Sequence, residues 1–287
     1  MKNIIVPIDF SEESLNGLDL AIVFANKHKC NIQMVYVIKH PYEIGKLNTE
    51  DEKKVATRAF EGLLKDYSPK MHDASKLEYI IKKGKIYKEI VHQAQAFEKS
   101  IIITSTHGAS GFEELFIGSN ALKIISSSDI PVITVRKELK STDINNIVLP
   151  IDTTKETRQK VPLTIEIAKA FNAKIHVLAY TYTGIEEAEE KVSAYSKQAC
   201  DFIKEHGVEF TLEHKSGSSM VKTTIDFAEK VNANLISIMT EQDDSLADLL
   251  LGTNAQQMLN KSPIPVLSVT PKDFFYKESF KTFGSGN

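Results

Sequence analysis

The sequence predicts an α/β fold: two tandem, doubly wound, Rossmann-like domains, each built on a parallel sheet. Three observations carry that prediction. Short β-rich runs such as Ile4-Ile5-Val6 and Ile101-Ile102-Ile103 alternate with stretches of helical periodicity, the pattern of buried parallel strands joined by crossover helices. The segment Asn3-Ile4-Ile5-Val6-Pro7-Ile8-Asp9 recurs as Asn146-Ile147-Val148-Leu149-Pro150-Ile151-Asp152, 143 positions later. Further on, Gly118-Ser119-Asn120 recurs as Gly252-Thr253-Asn254 and Pro131 as Pro265, both 134 positions later. A repeat of this length means one architecture used twice. The copies divide into 1–141 and 142–287, joined by the polar Lys-Glu-Leu-Lys-Ser-Thr-Asp stretch over 137–143.

In the first copy the pattern predicts strands over 4–8, 32–38, 77–81, 101–104 and 132–135. Ser11 is a candidate N-cap for the first helix, with Glu12 and Glu13 in its opening turn and Leu15, Leu18, Ala21, Ile22 and Ala25 at helical spacing. Residues 49–67 form an amphipathic helix with Val55, Ala59, Leu63 and Leu64 expected inward. Gly84 marks a turn before a helix over 86–97, and a last helix runs over 120–127. The second copy predicts strands over 146–151, 174–180, 208–213, 235–239 and 266–269. One helix runs to about Phe171, and others cover 185–206, 220–231 and 254–260. Beyond Val269 the tail has no strong period, and Phe274, Phe275 and Tyr276 are expected to dock on the body.

Composition excludes several classes of function. A hydrophobic share of 42%, a charged share of 25% and a net charge of −3 describe a soluble globular chain with no electrostatic footprint for nucleic acid or an anionic membrane. No apolar run is long enough to span a bilayer, and Met1-Lys2-Asn3 leads straight into a strand without a signal-peptide layout. Cys30 and Cys200 form no CxxC or ligand pair, and the histidines show no HxxxH or HExxH spacing. A cytoplasmic location and no metal site follow as expectations.

The informative stretch is 101–135. There Ile101-Ile102-Ile103-Thr104 runs into Ser105-Thr106-His107-Gly108, and Gly118-Ser119-Asn120 opens a helix after an insert. Glycines where a strand hands over to a helix bring outward-pointing N–H groups and the positive end of a helix dipole to one place, which suits phosphate. The spacing is neither GxxxxGK[ST] nor GxGxxG, and such turns also occur as plain connections.

These residues resemble the universal stress protein family, in a tandem form. Its nucleotide-binding members carry G-x2-G-x9-G-[ST]; Gly108, Gly118 and Ser119 match it at the right spacing, and Ser105 stands at the first glycine position. The resemblance implies an ATP site formed by Asp9, Val37, Ser105, His107, Gly108, Gly118, Ser119 and Asn120, with Mg²⁺ able to accompany the nucleotide. Asp9 would take adenine or ribose hydrogen bonds, or would cap the first helix locally; Val37 would offer backbone to the adenine edge, or be core. His107 would orient the turn. Lys85 and Lys88 read either as phosphate contacts or as a solvated helix face.

In the second copy Gln242 replaces Gly108, Met239 replaces Ser105, and Glu241, Asp243 and Asp244 would repel phosphate. Tyr180 stands where Val37 does. This copy is expected not to bind ATP, and to serve as a scaffold or to hold another ligand. The whole chain is then expected to be an ATP-binding stress response protein, regulatory rather than catalytic, with slow ATPase activity left open. The alternative is a nucleotide-independent scaffold or small-ligand binder, which Ser105 favours. By the same resemblance the copies would pair through their last strands, near 132–135 and 266–269, with an unidentified protein partner and room for a homodimer.

Overall fold

The structure, a computed structural model, describes residues 1–39, 49–106, 117–136, 143–182, 186–240 and 252–271. His107, Gly108, the Glu241–Asp244 stretch and the tail with Phe274, Phe275 and Tyr276 lie outside the described residues. Contacts separate two compact units. The first joins the described residues of 1–143 to those of 252–268, and the second comprises those of 144–240 with 269–271.

In the first unit β1 (Asn3–Pro7) pairs in parallel with β2 (Asn31–Ile38) and β4 (Ser100–Ser105). β2 continues to β3 (Leu77–Lys83) and β4 to β5 (Val132–Val135), giving the order β3-β2-β1-β4-β5. The chain therefore steps outward through β2 and β3, then returns past β1 to start again at β4. β1 and β4 flank the point where strand order reverses, the place where such sheets bind ligands beyond the carboxyl ends of their strands. The core lies along this line: Ile4, Ile5, Val6, Ile102 and Ile103 are wholly buried.

Right-handed crossovers place α1 (Glu12–His28) and α2 (Thr49–Tyr67) on one face, and α3 (Ile86–Gln95) and α4 (Ser119–Ser127) on the other. α1 follows its sequence pattern. Ser11 caps it by accepting a bond from Ser14 N at 3.2 Å, and Leu18, Ala21, Ile22 and Ala25 are buried. α2 departs from it. Val55 is 64% exposed, while Ala56, Phe60 and Tyr67 face inward. The face is set by Phe60, whose ring stacks on Tyr79 at 4.5 Å and meets Phe10 edge-on at 5.0 Å. A large aromatic gains more from burial than a valine five positions away.

One strand in this unit comes from the second repeat. β10 (Val266–Val269) pairs antiparallel with β5, Thr134 opposite Val266 and Val132 opposite Ser268. Ahead of it lies α8 (Thr253–Lys261).

The second unit repeats the parallel core: β6 (Asn146–Ile151) lies between β7 (Lys174–Tyr182) and β9 (Leu235–Met239), and β8 (Phe210–Gly217) flanks β7. Its helices are α5 (Val161–Phe171), α6 (Glu186–Glu205) and α7 (Met220–Lys230). Its first helix is not continuous like α1: a 3-10 turn over Lys155–Arg158 precedes α5. Pro162 sits in the first turn of α5, the place where its missing N–H costs nothing. No helix among the described residues is long and apolar enough to cross a membrane.

Candidate functional site

Asp9 lies two residues beyond β1, exposed at the rim of the β1/β4 crevice. Its Oδ1 accepts from Ser11 N at 3.1 Å and from Ser11 Oγ at 2.5 Å, and its own N–H points at Ser14 Oγ, 3.4 Å away. The carboxylate thus shapes the entry to α1, the local role weighed for it above. Phe10, next in line, adopts φ 65°, a left-handed conformation that is costly for an aromatic residue. Its ring packs against Tyr36 at 5.2 Å as well as Phe60, which offsets that cost.

On the β2 side of the crevice Val37 is buried near the end of the strand. Tyr36, its neighbour, donates to Glu52 Oε1 at 2.8 Å; burial first, then the Glu52 bond and charge, pushes its phenol up to about 12. Gly84 N donates to Ile38 O at 3.0 Å, and Lys85 and Lys88 are exposed, as a solvated face would be.

The other wall is the end of β4. Ser105 is its last residue and is buried; Thr106 follows and is 2% exposed. α1 comes close here, because a Cβ placed on Gly17 would sit 3.4 Å from Ser105 N. Thr106 N donates to Val135 O at 2.8 Å, and Thr106 O accepts from Gly118 N at 2.6 Å. That second bond draws the two ends of the 107–116 insert together. α4 then begins at once, with Gly118 as its N-cap residue and no capping side chain among the described residues. Its first i→i−4 bond is Leu122 N to Gly118 O at 3.0 Å, so the N–H groups of Ser119, Asn120 and Ala121 have no carbonyl partner within the helix. Ser119 and Asn120 are exposed. Of the eight residues that the motif implies, the fold gathers Asp9, Ser105, Gly118, Ser119 and Asn120 around the β1/β4 crevice and Val37 beside it. His107 and Gly108 fall outside the described residues.

The family model described as "Universal stress protein family" matches residues 1–136 and again 143–270. The chain belongs to the universal stress protein family, as a tandem member. A universal stress protein from Methanocaldococcus jannaschii is 26% identical over 149 residues, covering 48% of this chain and 84% of that protein. Among solved structures, a universal stress protein from Archaeoglobus fulgidus DSM 4304 covers 93% of this chain and 98% of its own, with a TM-score of 0.73 at 20% identity. A protein from Pseudomonas aeruginosa UCBPP-PA14, titled a putative universal stress protein, covers 95% and 94% with a TM-score of 0.69 at 17% identity. At these identities the structures establish the fold, which both copies share.

The second universal stress protein copy keeps the rim and fills the interior. Asp152 Oδ1 accepts from Thr154 N at 2.8 Å and Thr154 Oγ1 at 2.6 Å, and Asp152 N donates to Thr157 Oγ1 at 3.2 Å. This repeats the Asp9–Ser11–Ser14 arrangement atom for atom. Two of the differences fill the interior. Tyr180, in place of Val37, is 1% exposed, and its hydroxyl donates to Gly217 O at 2.7 Å, reaching across to the end of β8. Lys160, in place of Gly17, is 2% exposed and curls back to donate to Thr157 O at 2.7 Å and Thr157 Oγ1 at 3.1 Å. Burial brings its ammonium down to about 8 despite the opposing pull of the Asp152 charge. Where the first copy has a glycine and a valine, the second has a lysine and a tyrosine.

Proposed function

We propose that the chain is a nucleotide-binding regulator in which the N-terminal copy takes ATP and the second copy takes none. The observation that supports this most is the turn at Gly118. Thr106 and Gly118 close on each other, and the uncapped start of α4 is set beside the carboxyl end of β4, one strand from Asp9. Free N–H groups at a helix start suit phosphate oxygens, and the Ser119 hydroxyl adds a donor. Asp9 suits the amine or hydroxyl donors of a nucleoside, and the backbone around Val37 the edge of its base. Gly17 lets α1 pack closely against the end of β4. In the second copy Lys160 and Tyr180 occupy the corresponding interior, which supports its closure independently of the acidic residues that follow β9.

The reading is regulatory because, among the described residues, the groups gathered at the crevice are N–H donors and hydroxyls, with one carboxylate whose Oδ1 is engaged by Ser11. Such groups hold a nucleotide; hydrolysis needs a water activator placed beside the γ-phosphate. Mg²⁺ would enter on the triphosphate. Binding would then act by population shift, favouring whichever arrangement of the Gly118 turn holds phosphate best.

Protein purified without added nucleotide, denatured and resolved by anion exchange, tests this. One ATP per chain is expected, lost in Gly118→Val. Two per chain would overturn the closure of the second copy. An empty supernatant, with no ATP binding in calorimetry, would overturn the nucleotide reading and leave the scaffold alternative that buried Ser105 favours.

A further inference from the structure

The turn at Gly118 is held from a distant part of the sequence. Ile117, the residue before Gly118, is 8% exposed and donates its backbone N–H to Asn260 Oδ1 at 2.7 Å. Asn260 lies near the end of α8, 143 positions further along, in the same compact unit. Its amide orientation is fixed by chemistry, since only the side-chain oxygen can accept from an N–H. The backbone oxygen of Asn260 is engaged in turn by Arg136 Nη1, just past β5. Two successive N–H groups therefore point to two anchors: Gly118 to Thr106 O just past β4, and Ile117 to a side chain of the second repeat. The repeat equivalent of Asn260 is Ser126, whose hydroxyl donates to Leu122 O at 2.9 Å within its own helix.

We infer that Asn260 is a positioning residue for the nucleotide site of the first copy, so that the site is completed by the last helix of the second repeat. The inference rests on the reading that nucleotide binds at the Gly118 turn. Its physical content is preorganisation. The start of α4 can meet phosphate only if residues 117–118 hold still against β4, and a turn with one anchor has more conformations to lose on binding than a turn with two. Asn260 touches no ligand; it acts through the Ile117 N–H. The second repeat, closed to nucleotide itself, then contributes an oxygen to the repeat that is open.

The test uses the full chain. Asn260→Leu keeps the bulk and withdraws the acceptor. Asn260→Ala serves if Leu does not fold, and Asn260→Asp keeps an acceptor oxygen in place. Titration calorimetry with ATP should give roughly tenfold weaker binding for Asn260→Leu, the scale of one lost hydrogen bond to a buried amide. Ser126→Ala should bind as the wild type does. Amide hydrogen exchange of the nucleotide-free protein adds a second readout: the Ile117 N–H should be protected in the wild type and in Asn260→Asp, and should exchange faster in Asn260→Leu. A wild type that binds ATP no better than Asn260→Leu or Asn260→Ala overturns the positioning role alone. A wild type that binds none overturns the nucleotide reading and this role with it.

Discussion

Lys160→Met should make the protein more stable at neutral pH, against the usual direction for a buried substitution. Lys160 is 2% exposed, and its two acceptors are the carbonyl and hydroxyl of Thr157 rather than a carboxylate. Its ammonium titrates at about 8 instead of the ordinary 10.5, a difference worth about 3 kcal/mol against the charged form. At pH 7 the folded protein still carries that charge, so the full cost is present. Methionine has a similar length and no charge to desolvate. Against this stand about 1–2 kcal/mol for the lost bonds to Thr157. The net gain is then about 1–2 kcal/mol at pH 7. The gain must shrink as pH rises. Between pH 8 and 10.5 the unfolded wild type keeps a proton that the folded form has released, so wild-type stability climbs through that window while the methionine variant has nothing to release. Guanidinium unfolding of both proteins at pH 7 and pH 9.5, with exchange at Ile175 on β7 to confine the readout to the second unit, measures the difference. A methionine variant less stable than wild type at pH 7, or a gap that does not narrow by pH 9.5, would refute the reasoning and show that an unrecognised anion compensates the ammonium.

Gly17→Ala should stabilise the first unit by about 0.5–1 kcal/mol, since glycine weakens a helix interior and the new methyl would meet Ser105 N at an ordinary 3.4 Å; a lower melting temperature would contradict this. Tyr180→Phe removes the bond to Gly217 O and should cost about 1–2 kcal/mol, read by chemical denaturation, with an unchanged midpoint counting against it. His176 bridges Asn146 Oδ1 at 2.9 Å and Thr211 Oγ1 at 2.8 Å, and burial, then the Lys174 charge, holds it below its ordinary 6.5. It should stay neutral in the fold, so the stability it contributes is present above the unfolded value of about 6.5 and falls as pH drops through it. An imidazole titration above 6.5 by NMR would contradict that assignment.

The repeating parts of the molecule were legible in the sequence because periodicity and small-residue turns report on local structure. Most strands fall where the β-rich runs are, though β8, expected over 208–213, runs over Phe210–Gly217, and Ser11 caps α1 as its position suggests. The failures have physical causes. In α2 several apolar residues compete for one face, and helical spacing alone does not say that Phe60, through the rings of Phe10 and of Tyr79 on β3, outweighs Val55. Pro162 marks the break in the first helix of the second copy, but the 3-10 turn ahead of it has no periodicity to read. Lys160 looks like any solvated lysine until the two copies are superposed and it falls on Gly17; that alignment was the available signal. The Asp-x-Ser-x-x-Ser and Asp-x-Thr-x-x-Thr patterns around Asp9 and Asp152 were equally readable as a shared motif. Asn260 had no such signal, because a bond spanning 143 positions leaves no trace in local spacing.

The antiparallel pairing of β5 with β10 has a consequence for how the protein is made. Thr134 meets Val266 in that ladder, so a strand finished early in translation waits for a partner more than a hundred residues away. At about 5–20 residues per second, the first unit spends roughly 7–26 s on the ribosome with its β5 edge unpaired. An open edge of this kind is where a nascent chain pairs with its neighbours. The slow step of biogenesis should therefore belong to the copy that emerges first, and pauses between the two repeats should lower yield more than pauses after residue 269.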